Sequence, residues 1–181
     1  MDKLHKELER ILIPEEAIQA RVKEIAAQIS SDYAGEGRLY IVGILKGAFM
    51  FLADLTRQLT VPHTVDFMAL SSYGKSTTIG AVRILMDLRE PIDDRHVLIV
   101  EDIVDSGQTL NYLQRVLTGR NPASLKTCVL VRKHRDRIEV PIDYVGFDIP
   151  DAWVVGYGLD YADLHRTWPF IAELKKEVYS K

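Results

Sequence analysis

The sequence predicts an α/β protein built on a parallel sheet with helices on both faces. Two observations carry that expectation. Short runs rich in β-branched and aromatic residues, such as Leu39-Tyr40-Ile41-Val42-Gly43-Ile44-Leu45 and Leu125 to Val131, are apolar throughout. Strands buried on both faces read this way, without the alternation of half-exposed ones. Between them lie segments whose apolar residues recur at helical spacing. A third observation points to a site. The run Val97 to Val100 leads into Glu101-Asp102-Ile103-Val104-Asp105-Ser106-Gly107-Gln108-Thr109 and then a helical pattern. In open sheets of this class ligands bind beyond the carboxyl ends of the strands.

The first expected element is a helix from Pro14-Glu15-Glu16 through Ile18, Val22, Ile25, Ala26 and Ile29, closing near Gly35-Glu36-Gly37. Proline and acids in the first turn suit its start. A strand over Leu39–Leu45 follows, then a break at Lys46-Gly47-Ala48 and a helix over 49–55. Thr64 to Leu70 reads as a strand. The polar segment from Ser71 to Thr78 reads as a mobile loop. Val82 to Asp87 alternates like a strand, and Val97–Val100 is a buried one. Leu110, Leu113, Val116 and Leu117 mark a helix that stops at Gly119. Leu125–Val131 is buried, and Tyr144–Ile149 and Val154–Leu159 read as short late strands.

The 181 residues suffice for one domain with a sizeable core. A hydrophobic fraction of 47% and a charged fraction of 27% are ordinary for a globular chain. Lys and Arg number 23 against 26 Asp and Glu, a formal net charge of -3, so the basic excess of a nucleic-acid binder is missing. The one cysteine, Cys128, excludes an internal disulfide and reads as a strand filler. The charged opening Met1–Arg10 holds no apolar leader, and no stretch is long and apolar enough to cross a membrane. A cytoplasmic chain without a membrane or nucleic-acid partner is expected.

Asp105-Ser106-Gly107-Gln108-Thr109 lies where a helix begins. Helix starts offer unpaired N–H donors and partial positive charge, which suit a phosphate, and glycine lets the backbone approach it closely. The loop lacks the lysine and glycine spacing of a nucleotide P-loop. The acids beside it would repel phosphates unless they face sugar hydroxyls or magnesium with its waters. A simple helix cap accounts for Asp105-Ser106-Gly107 alone, but it accounts poorly for two acids at the end of a buried strand.

Val97 to Thr109 resembles the phosphoribosyl-diphosphate signature of the type I phosphoribosyltransferases. From Leu45-Lys46-Gly47 through Ser72-Tyr73-Gly74 and Val145-Gly146-Phe147 to Val154-Val155-Gly156-Tyr157-Gly158-Leu159-Asp160-Tyr161 and Arg166, the chain resembles the hypoxanthine-guanine phosphoribosyltransferase family. The resemblance implies one domain over 1–181: a five-stranded parallel sheet flanked by helices (core about 36–140), with a small hood from the N-terminal segment and about 141–181. It implies transfer of 5-phosphoribosyl from phosphoribosyl diphosphate to N9 of hypoxanthine or guanine, with magnesium as cofactor and a homodimer or homotetramer as the assembly.

It also implies roles. Glu101 and Asp102 would face the ribose and magnesium, joined at the metal by Asp160. Asp105 would be the general base for the purine N7 proton, or an electrostatic partner of the ribose cation; the sequence does not separate these. Asp105, Ser106, Gly107, Gln108 and Thr109 would hold the 5′-phosphate. Lys46, Gly47 and Arg166 would hold pyrophosphate, with a cis peptide before Lys46 and with Ala48 where many relatives have a further glycine. Ser72 and Tyr73 belong to a closing loop over 71–81. Trp153 would stack on the purine and Val154 read its edge through the backbone, with Asp160 nearby. A solvated Lys46, a surface Arg166 and a Trp153 packed in the core are the plain alternatives. The O6 donor falls at Arg132 without a gap and at Lys133 with a loop one residue shorter; Lys133 is favoured. Two rivals stand: a xanthine-preferring enzyme, and an RNA-binding regulator on the same fold using the basic run from Arg132 to Arg137.

Overall fold

The computed structural model describes residues 6–72, 82–134 and 140–180. In chain order its elements are β1 (Leu8–Ile13), α1 (Glu15–Asp32), β2 (Leu39–Leu45), α2 (Phe49–Gln58), β3 (His63–Ser72) and β4 (Val82–Met86). Then come β5 (His96–Val104), α3 (Gln108–Thr118), β6 (Ser124–Lys133), β7 (Tyr144–Ile149), β8 (Val154–Val155), β9 (Ile171–Leu174) and α4 (Lys176–Tyr179). The main sheet has the order β4-β3-β2-β5-β6-β7. Its strands from β3 to β7 run parallel, the five-stranded core expected, and β4 adds an antiparallel edge.

The uniformly apolar strands are buried on both faces. Leu39 and Ile41 of β2, Leu98 and Val100 of β5, and Cys128 and Leu130 of β6 pack with α1 and α2. Their neighbours Tyr40, Val42, Val97, Ile99 and Val129 pack with α3 and Ile92 on the other side. Cys128 sits within this core as a filler, and burial raises its thiol pKa. In α1, Pro14 caps the start, Glu15 and Glu16 occupy the first turn, and Ile18, Val22, Ile25, Ala26 and Ile29 turn inward. The end of α1 is tied across the sheet. The Tyr144 hydroxyl donates to Asp32 Oδ2 at 2.6 Å and Lys126 Nζ donates to the same oxygen at 3.0 Å.

Several expectations need correction. β5 runs on to Val104, because Glu101, Ile103 and Val104 still pair with Val129, Val131 and Arg132 of β6. Glu101 and Asp102 therefore belong to the strand rather than the loop after it. That pairing carries β6 to Arg132, and pairing with Ile149 of β7 carries it through Lys133. β7, expected in the hood, pairs with β6 in the main sheet, so the core extends to Ile149. α1 likewise packs on the core, leaving β1 as the N-terminal part of a small sheet of order β1-β9-β8. β1 and β9 have no counterpart in the sequence reading. β1 carries Glu9 and Arg10, and its pairing is interrupted by bulges, so its pattern looks like a charged tail. The expected strand to Leu159 stops at Val155, because Gly156, Tyr157 and Gly158 all take positive φ. Of the 71–81 loop, Ser71 and Ser72 close β3, while Tyr73 and the rest lie outside the described residues.

At Gly146 of β7 the backbone comes so close to β6 that an added methyl would overlap the Leu130 carbonyl. Arg21 of α1 holds this spot, donating to the Gly146 and Val145 carbonyls at 3.0 and 2.8 Å. Gly146→Ala should cost about 2 kcal/mol by overpacking a site where backbone must move. The urea unfolding midpoint measures it, and an unchanged midpoint would show that β7 shifts freely.

Candidate functional site

The loop after β5 forms a cup. Residues 101–110 enclose a cavity of about 220 Å³. Gly107 is the N-cap of α3 at φ 76, a left-handed conformation that glycine adopts without strain, and it has no side chain to fold over the helix start. Ser106, Gln108 and Thr109 line the cup together with the start of α3. This arrangement suits an anion.

As successive strand residues, Glu101 and Asp102 leave the backbone on opposite sides. Asp102 borders the cup and also a second cavity of about 170 Å³, which Glu101 does not reach. Glu101 is 7% exposed, and its Oε2 meets no hydrogen-bond donor among the described residues. Burial, reinforced by the charge of Asp102, pushes the Glu101 carboxyl well above the usual range. Burial also lifts Asp102, to about 6, against the opposing pull of the Ile103 amide. The sequence reading had set both acids toward the ribose and magnesium; the extended pairing of β5 with β6 instead turns them to opposite sides, Glu101 buried and Asp102 half-buried.

Asp102 lies against Gly47, where a methyl group would overlap its carboxylate, and a methyl on Gly158 would strike the Gly47 carbonyl. Gly158, at φ 103, and Gly47 thus let their two loops approach at backbone distance, with the Asp102 side chain of β5 against Gly47. The Leu45–Lys46 peptide is cis, as the resemblance implied. Lys46 Nζ donates to Asp163 Oδ1 at 2.9 Å, and Arg166 Nη2 reaches the same oxygen at 2.8 Å. Arg166 also bonds Asp160 Oδ1 at 2.7 Å and the Gly158 carbonyl at 2.8 Å. Lys46 and Arg166 are thus gathered as expected. Asp163, which bridges them, was missed; its signal was a carboxylate three residues from both Asp160 and Arg166.

The second cavity brings together Asp102, Asp105, Lys133, Trp153, Val154 and Asp160. Lys133, the last residue of β6, is 7% exposed. Its Nζ lies 3.2 Å from Asp105 Oδ2, 3.4 Å from Asp151 Oδ1 and 5.9 Å from the Trp153 ring centre. Arg132 points the other way, and its guanidinium grips Asp148 at 2.6 and 3.1 Å. Strand alternation puts the two on opposite sides: Lys133 lines the cavity and Arg132 does not. Trp153 is 50% exposed rather than core. Tyr179 stacks on it at 5.4 Å and Tyr161 meets its edge at 5.8 Å. Asp151 is a second residue the sequence reading overlooked.

Among the described residues no three His, Cys, Asp or Glu side chains converge as a metal cage. Magnesium is nonetheless suited to one or two carboxylates completed by waters and substrate phosphates. The half-buried Asp102, with Asp160 on the same cavity, fits such an ion; Glu101, expected to join them, is buried and does not line that cavity.

A family model described as phosphoribosyl transferase domain matches residues 12–162. A hypoxanthine-guanine phosphoribosyltransferase of Dictyostelium discoideum is 48% identical over 176 residues, covering 94% of this chain and 98% of its own length. A hypoxanthine phosphoribosyltransferase of Escherichia coli is 47% identical over 167 residues, covering 91% and 94%. The solved hypoxanthine phosphoribosyltransferase of Staphylococcus aureus superposes with a TM-score of 0.93 at 43% identity, over 100% of both chains. That of Trypanosoma cruzi, in complex with the product IMP, gives 0.90 at 47% identity, over 98% of this chain and 100% of the other.

The raised Asp102 carboxyl has a consequence for the ligand-free chain. The folded state keeps a proton that the unfolded carboxyl releases near pH 4. The associated stability is therefore present below that pH and lost as pH rises through about 6. Relative to Asp102→Asn, the natural chain should lose about 2 kcal/mol between pH 4 and pH 7. Urea unfolding of both proteins across that range measures the difference, and parallel pH curves would contradict it.

Proposed function

Because the chain belongs to the phosphoribosyl transferase domain family, we propose that it is a hypoxanthine-guanine phosphoribosyltransferase acting in purine salvage. The enzyme moves the 5-phosphoribosyl group of phosphoribosyl diphosphate to N9 of hypoxanthine or guanine, giving IMP or GMP and pyrophosphate. The observation that carries the reading is the meeting of two cavities at Asp102 and Asp105. One is an anion cup at a helix start and the other a base-sized cleft with a buried lysine and an exposed tryptophan. The donor's phosphate and the acceptor's ring then flank one ribose carbon.

In this mechanism the α3 N-terminus, with Ser106, Gly107, Gln108 and Thr109, anchors the 5′-phosphate. Lys46, the Gly47 backbone and Arg166 receive the pyrophosphate. Asp163 holds both cations beforehand, and the pair it makes with Lys46, exposed on both sides, exchanges at little cost. Trp153 offers a π-face to the purine, and Val154 reads its edge through the backbone. The Lys133 ammonium donates to O6, which favours an oxo-purine over adenine, whose amino group is itself a donor. N9 attacks the anomeric carbon as its bond to pyrophosphate breaks, and pyrophosphate leaves with the bonding pair. The N7 proton passes to Asp105. Developing positive charge on the ribose is met by Asp102 and Asp105. Asp102 and Asp160, which line one cavity, would hold magnesium together with waters and substrate oxygens, and the ion would supply charge neutralisation for the pyrophosphate.

No helix of the described residues is long and apolar enough to cross a membrane. We place the enzyme in the cytoplasm, as a homodimer or homotetramer.

Assays with hypoxanthine, guanine, xanthine and adenine, each with phosphoribosyl diphosphate and magnesium, test the proposal. Turnover of the first two is expected; retention of RNA without turnover would favour the regulator, and turnover of xanthine above both would favour the other rival. Asp105→Asn should lower kcat by about 100-fold or more while phosphoribosyl-diphosphate affinity stays within about threefold; unchanged turnover would remove its catalytic role. Lys133→Ala should raise the KM for hypoxanthine by about tenfold or more. Arg132→Ala should leave it nearly unchanged, and the reverse ranking would assign the O6 contact to Arg132.

A further inference from the structure

We infer that Asp151 is the positioning residue for Lys133, holding its ammonium in the base cavity while it exchanges Asp105 for the purine O6. The inference rests on the reading of Lys133 as the O6 donor. A buried ammonium is costly unless paired, and Lys133 is answered from two sides. Asp105 comes from the loop before α3, at 3.2 Å, and Asp151 from the turn after β7, at 3.4 Å. Strand register delivers Asp151. Lys133 pairs with Ile149, and the His134 amide donates to the Ile149 carbonyl at 2.8 Å. Pro150 ends the strand, and the Ala152 amide bonds back to the Pro150 carbonyl at 2.8 Å. The chain therefore turns at the end of β6 with Asp151 beside the lysine.

The two carboxylates cannot play the same part. An ammonium held on Asp105 occupies an oxygen that would otherwise take the N7 proton. A base entering the cavity offers O6 to the ammonium, and leaving Asp105 requires another anion. Asp151 supplies one, and three N–H donors allow Lys133 to keep Asp151 while bonding O6. When Asp105 takes the N7 proton it becomes neutral, and Asp151 still balances the ammonium. Without Asp151, Lys133 returns to Asp105, where it blocks the base and leaves O6 unread.

Steady-state kinetics on Asp151→Asn, Asp151→Glu, Lys133→Met and the Asp151→Asn/Lys133→Met double variant test this. Asp151→Asn should raise the KM for hypoxanthine by about five- to tenfold. The KM for phosphoribosyl diphosphate should stay within about twofold, and Asp151→Glu should recover most of the loss. In the Lys133→Met background Asp151→Asn should add nothing. A hypoxanthine KM unchanged in Asp151→Asn, or an increase of the same size with Lys133 already removed, overturns the inference while leaving Lys133 as the O6 donor. No effect of Lys133→Met alone overturns the O6 reading itself, and this inference with it.

Discussion

The continued pairing of β5 with β6 is the constraint from which the site follows. A strand ending at Val100 would leave its acids in a solvated loop. Because the ladder runs to Val104, Glu101 and Asp102 are drawn into the sheet, where burial raises both. The same ladder runs β6 to Arg132, one residue short of Lys133, and starts the Asp105 loop beside it. Burial that would be a fault in a structural protein becomes a store of affinity for a cation or a polar sugar, since those ligands restore what folding removed.

Charge in the site is balanced before any ligand arrives. Lys46 and Arg166 share one oxygen of Asp163, and Lys133 lies between Asp105 and Asp151. Binding is then an exchange of partners rather than the filling of a bare electropositive cleft. Such exchange keeps the net cost of desolvation low, and it selects for ligands that present both an anion for the outer cations and an oxo group for the inner one.

How much of this was legible in the sequence depended on range. The parallel core was legible because strands buried on both faces carry an unbroken apolar signal, and the Asp105–Thr109 loop because its chemistry is contiguous. β1 was not, since its stability comes from partner β9 at the far end of the chain and its own residues alternate weakly. Asp151 and Asp163 escaped notice because each is an ordinary surface aspartate until folding sets it beside a distant lysine. Which of Arg132 and Lys133 faces the cavity depends on the parity of one strand, which the sequence does not number until its end is known.

The lone cysteine has a practical consequence. Cys128 lies at the centre of β6, fully enclosed between β5 and β7, and it is the only thiol in the chain. Its modification by a thiol reagent therefore reports opening of the central sheet and of nothing else in the protein. Labelling followed with and without substrates would time how far occupancy at the strand ends is felt in the middle of the core, without any tag or added probe.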